Sequence, residues 1–144
     1  MQFQILAFTA LLSTALAAPA GLLSTRQSSS PGWTIRSFTR NCTDPNICTY
    51  TFSIDVNNGS STPVPCTIVD TAEPATTHSF YGVPCTQANN FAVSWGWNTQ
   101  DDFTVLTLVN QTALQEAFFG YDHPNVGLPV VSYADVGPNA VQHT

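Results

Sequence analysis

Tyr50-Thr51-Phe52-Ser53-Ile54-Asp55-Val56 alternates large apolar with polar residues, then runs into Asn57-Asn58-Gly59-Ser60. A period of two puts every second side chain on one face, which is the signature of a half-buried strand. Asn and Gly end it with turn chemistry. Working outward, the same period recurs. Phe91, Val93, Trp95 and Trp97 alternate with Ala92, Ser94 and Gly96, so the large residues share a face and the two tryptophans are expected in the core. Phe103–Val109 is rich in β-branched residues and apolar on both sides at its centre; Asn98-Thr99-Gln100-Asp101-Asp102 before it suits a hairpin loop. Weaker strands are expected at Trp33–Phe38, Val64–Val69 and Val130–Tyr133. Ala113–Tyr121 reads two ways. Ala113, Leu114, Ala117, Phe118 and Tyr121 fit a helical face behind a Thr112/Gln115 capping box, but Phe118-Phe119-Gly120-Tyr121 favours a strand from about Glu116. Some seven short strands between Pro, Gly and Asn turns predict an all-β, compact antiparallel sandwich or barrel-like single domain.

The N-terminus points to export. Residues 1–17 read as a signal peptide: Ile5 to Ala18 is almost wholly apolar or small and passes through Ala15-Leu16-Ala17. A membrane anchor needs about 20 unbroken apolar residues, and Thr9, Ser13 and Thr14 interrupt this run. Residues 18–30 read as a polar linker or a propeptide in which Arg26 is the one basic trimming point, and 31–144 as the β domain. A secreted, extracellular protein is expected.

Cys42, Cys48, Cys66 and Cys85 all follow the signal; an even count in a short exported chain implies two disulfides, and four thiols allow three pairings. A zinc site wants closely paired Cys or His ligands, which are absent. Sequons begin at Asn41, Asn58 and Asn110, making these the expected glycosylation sites. The chain has three Lys+Arg against nine Asp+Glu, a net charge of -6. Such a surface repels phosphate backbones and anionic lipid, so neither nucleic acid nor membrane is an expected partner.

Few residues are available for chemistry. The histidines are His78, His123 and His143, and the glutamates Glu73 and Glu116. No Gly-x-Ser-x-Gly elbow or phosphate-cradling glycine loop occurs. A secreted ribonuclease would draw on Glu116, His78, His123 and Arg36 or Arg40 for general acid–base work, but no local motif groups them. Trp95-Gly96-Trp97 with Phe91 would make a sugar platform if exposed, and a core face if not. Asp122-His123 near Glu116 would bind a metal or form a solvated turn before Pro124. The expectation is no catalytic residue, no metal and no cofactor.

The order Trp-x-Ile-x-x-Phe near the mature start, the strand Thr-Tyr-Thr-Phe-Ser-Ile-Asp-Val and Val-Pro-Cys-Thr followed by a second Cys resemble small secreted proteins of filamentous ascomycetes. Phe-Ala-Val-Ser-Trp-Gly-Trp and Ala-Phe-Phe-Gly-Tyr-Asp-x-Pro add to the likeness. The pattern resembles the Alternaria major-allergen family and its hypersensitive-response-inducing elicitor relatives, and the likeness would span about Trp33 to Asp135. The resemblance implies a compact antiparallel β fold and a non-catalytic effector or elicitor of the plant apoplast, with a host plant extracellular protein or receptor as partner. It also implies a Cys66–Cys85 disulfide, leaving Cys42 with Cys48. The main rival pairing is Cys42–Cys85 with Cys48–Cys66. The family's C-terminal cysteine pair and intersubunit cysteine are missing, so a monomer or non-covalent dimer is expected.

Overall fold

The alternation at Tyr50 is realised as a strand, and period-two patterning accounts for most of the molecule. The computed structural model describes residues 31–59 and 62–144, so the signal peptide expected at 1–17, the linker or propeptide expected at 18–30 and Ser60 of the second sequon lie outside the described residues. Ten strands form: β1 (Trp33–Asp44), β2 (Ile47–Asp55), β3 (Val64–Thr71), β4 (Phe80–Pro84), β5 (Phe91–Asn98), β6 (Phe103–Asn110), β7 (Gln115–Asp122), β8 (Val130–Ser132), β9 (Val136–Asn139) and β10 (Gln142–His143). A single 3₁₀ turn at Ala75–Thr77 interrupts them.

Two antiparallel sheets face each other. The first runs β3-β2-β1-β8, with β9 sharing the outer edge of β1; the second runs β10-β7-β6-β5-β4. Their inner faces supply the core in strict alternation: Cys48, Tyr50, Phe52 and Ile54 from β2, Leu106 and Leu108 from β6, Ala117, Phe119 and Tyr121 from β7. Phe38 sits at the centre, its ring 4.6–6.4 Å from those of Tyr50, Phe52, Trp95, Tyr121 and Tyr133. Edge-to-face contacts, to Phe52, Trp95 and Tyr121, and stacked ones, to Tyr50 and Tyr133, add to the gain from burial alone.

The pairing Cys42–Cys48 and Cys66–Cys85 is the one the family resemblance implies. The first ties β1 to β2 across their turn; the second joins β3 in one sheet to the end of β4 in the other. All four cysteines of the chain are thereby used, so no thiol is left for an intersubunit bridge.

Some expectations need correction. Ten strands replace seven because β4, β9 and β10 are short and carry Gly, Pro or few apolar residues, which hides their period. The ambiguous segment Ala113 to Tyr121, by contrast, takes the favoured strand reading: β7 begins at Gln115, with Ala117, Phe119 and Tyr121 inward and Phe118 outward. Trp95 is fully buried as expected, whereas Trp97 is only half-buried at the rim of the core. The first strand runs on past Phe38 to Asp44. A bulge between Arg36 and Thr39, where Ser37 has φ +52°, inserts one residue into β1. Inward parity switches there, from Trp33 and Ile35 to Phe38, Arg40 and Cys42. β9 lies so close to β1 that a Cβ at Gly137, where φ is +132°, would stand 2.6 Å from Trp33 O. Only glycine permits that approach.

Candidate functional site

Strand direction brings four connections to one end of the sandwich: the β1–β2 turn, the β3–β4 segment, the β5–β6 loop and the β7–β8 segment. Beneath them lies Arg40, carried inward by the parity switch and fully buried. Its Nη1 donates to Pro124 O (3.2 Å) and Asn125 Oδ1 (2.6 Å), its Nη2 to Thr76 O (2.8 Å), and Cys48 Sγ is 3.7 Å away. One guanidinium thus pins the β3–β4 and β7–β8 segments together. Tyr133 supports it by donating its hydroxyl to Pro124 O at 2.8 Å.

The guanidinium carbon stands 5.5–5.9 Å from the ring centres of Tyr50, Trp95 and Trp97. Aromatic faces therefore take the place that carboxylates fill around most buried cations. No carboxylate lies within ion-pair distance of Arg40 among the described residues. Arg40 Nε, the Tyr50 and Tyr121 hydroxyls, both indole nitrogens and Thr104 Oγ1 are buried without a protein partner. Burial pushes the Tyr50 phenol up to about 12, against the opposing pull of Arg40.

Two histidines flank this end. His78 Nδ1 meets the Asp70 carboxylate oxygens at 2.9 and 3.1 Å, Asp70 being buried and His78 half-exposed. His123 Nδ1 lies 2.8 Å from Asp102 Oδ2, and its backbone N–H donates to Asp102 O. The hydrogen bond to Asp102 raises the His123 pKa above its ordinary value, with that carboxylate's charge and Asp122 adding to it. Asp44, Asp70, Glu73, Asp101, Asp102 and Asp122 all belong to this end, and its one arginine is sealed, so the pole is acidic.

The acid–base set considered for a ribonuclease is not assembled. Glu116 is near the start of β7 and His123 follows its end; at about 3.3 Å per residue they stand on the order of 20 Å apart. His143 pairs opposite Gln115, at the far end from His78 and His123. Arg40 is sealed, and Arg36 is engaged with Asp55 (2.8 Å) and Asp135 (3.4 Å). No group of three or more His, Cys, Asp or Glu among the described residues is arranged to hold a metal ion, and Asp122-His123 meets Asp102 rather than Glu116. With Trp95 and Phe91 buried, Trp95-Gly96-Trp97 forms a core face and not a sugar platform.

The opposite end carries a cleft of about 280 Å³ lined by Pro31, Trp33, Val56, Asn58, Asn110 and Gln115. Two of the three sequon asparagines are thus at its rim, while Asn41 is exposed on the outer face of β1. Sequence reasoning missed the Asp70–His78 and Asp102–His123 pairs, whose members are 8 and 21 residues apart and follow no spacing rule. It also left Arg40 interchangeable with Arg36 as a candidate acid–base group. The alternation of Phe38, Arg40 and Cys42 was the available sign that it faces inward.

Fold and site define a small disulfide-stapled β-sandwich with an acidic loop end organised from below by a buried arginine. A family model described as Effector TSP1 matches residues 34–143, roughly three quarters of the chain. The protein belongs to this effector family. No curated protein matches it. The match carries the effector part of the resemblance and says nothing of kinship with the Alternaria allergens.

Proposed function

We propose that this protein is a secreted fungal effector that acts in the plant apoplast by binding a host extracellular protein or receptor and modulating plant immunity, with no catalysis of its own. The single observation that carries the reading is the effector-family match over nearly the whole β domain. Two disulfides are consistent with an oxidising, extracellular setting. The scattering of Glu116, His78, His123 and Arg36 supports action by surface recognition.

The test is infiltration of purified mature protein into leaves, beside a heat-denatured control, with immune markers and tissue response as readouts. A response to the folded protein alone is expected. A folded His78→Ala/His123→Ala variant should keep that response in full. Loss of it, with the fold intact by circular dichroism, overturns the non-catalytic reading; an inert native protein overturns the host-directed one.

A further inference from the structure

The outer face of the first sheet groups uncharged residues around Asn41. Register sets out two parallel rows across four strands. One reads Ser132, Thr39, Thr51, Thr67; the other Val130, Asn41, Thr49, Val69. In a chain with net charge -6, neither row holds a charged group. Val69 and Val130, at 59% and 48% exposure, stand open in the row that contains Asn41. Uncharged rows of a sheet face with open apolar groups invite association unless something covers them.

Asn41 heads the sequon Asn41-Cys42-Thr43, and its side chain is more open than that of Asn110. Its Oδ1 accepts from the Thr43 N–H (3.0 Å) and from the Thr43 hydroxyl (2.7 Å). Its Nδ2 donates to nothing among the described residues and projects from an exposed position. Asn110, by contrast, is half-buried at the cleft, its Oδ1 taken by the Thr112 and Ala113 N–H groups.

We infer that Asn41 carries an N-linked oligosaccharide and that this sugar lies over the outer face of the first sheet. The inference rests on export through the secretory pathway, as in the function proposed above. There Nδ2 attacks the anomeric carbon of a lipid-diphosphate-linked oligosaccharide. A C–N bond forms, the C–O bond to the diphosphate breaks, the lipid diphosphate leaves and the amide gives up a proton. The sequon stands in a strand rather than a loop, and the Cys42 N–H donates to Pro129 O at 2.7 Å. Transfer therefore precedes the docking of β8 on β1. An uncharged, hydroxyl-rich polymer suits the threonine rows, and its C–H faces suit the two valines.

The experiment expresses the full chain in a filamentous fungus and maps the secreted protein by peptide mass spectrometry, before and after enzymatic deglycosylation. The Asn41 peptide should carry a glycan that N41Q and T43A abolish and T43S retains. Sugar-free protein with native disulfides should self-associate in sedimentation at concentrations where the glycoprotein is monomeric. Secreted protein with Asn41 unmodified overturns the inference and leaves the extracellular reading intact; protein retained in the cell overturns that reading instead. A sugar-free form that stays monomeric overturns the shielding role.

Discussion

Arg36 and Arg40 are four residues apart on one strand and belong to opposite ends of the molecule. Arg36 is open to water with two carboxylate partners, Asp55 and Asp135; Arg40 is sealed and has none. The ends around them use otherwise matched devices. Each has a disulfide, Cys66–Cys85 at the Arg36 end and Cys42–Cys48 at the Arg40 end. Each has a four-residue loop opened by an asparagine and closed by a residue with φ near +50°: Asn110 with Leu114, and Asn98 with Asp102. What differs is the medium around the arginine. An ion pair in water is offset by solvation and contributes little. A guanidinium in the core matters because Thr76 O and Asn125 Oδ1 would lose their partner where little water reaches them.

The comparison is broken most directly at the arginines. Arg40→Ala orphans Thr76 O and Asn125 Oδ1, leaves Pro124 O with only its bond from Tyr133 and opens a cavity, so a loss of about 3–5 kcal/mol is expected in urea unfolding. Arg40→Met, which keeps the volume, should lose less. Arg36→Ala should shift the midpoint only slightly, and equal losses at the two positions would refute the contrast.

The staples should rank the opposite way. Replacing Cys66 and Cys85 by Ala opens a loop of 19 residues and should cost about 3 kcal/mol in the chain-entropy account. Opening the six-residue Cys42–Cys48 ring should cost about 2 kcal/mol. Differential scanning calorimetry of both double variants checks the order.

The loops sharpen the comparison further. Asn98 accepts from the Gln100 and Asp101 N–H groups, as Asn110 does from Thr112 and Ala113. Asn98→Ala and Asn110→Ala should therefore each cost about 1 kcal/mol in urea unfolding of unglycosylated protein. A twofold difference between them would show that the ends are less alike than their turns suggest.

The smallest effect is at His123. Its folded pKa is raised by the bond to Asp102, so folding favours the protonated ring. That contribution is fully present below the ordinary value of about 6.5 and lost as pH rises through the folded value. In an NMR titration the His123 imidazole should titrate above its ordinary value, and Asp102→Asn should bring it down. An unmoved titration in Asp102→Asn would remove the pair from the account.

Much of the fold was legible because alternation is a local property. Tyr50, Phe52 and Ile54, or Phe91, Val93 and Trp95, declare their buried face within a few residues. The candidate site was legible only in its inventory: the sequence names His78, His123, Arg36 and Arg40 but not which of them meet. Arg40 is the sharpest case. Its burial follows from the bulge at Ser37, and that bulge is held from far away, where Asp135 Oδ1 accepts the Ser37 N–H and the Tyr133 N–H donates to Phe38 O.

By itself, then, the sequence determined an all-β chain whose cysteine count implies two disulfides and whose charge is acidic, because composition and a period of two need no knowledge of distant contacts. The tertiary structure decided which arginine is sealed, which aspartate holds each histidine, and that Asn41 stands on an exposed strand face. Those outcomes depend on strand register and one inserted residue, and register is set by partners as distant along the chain as Trp33 and Asn139.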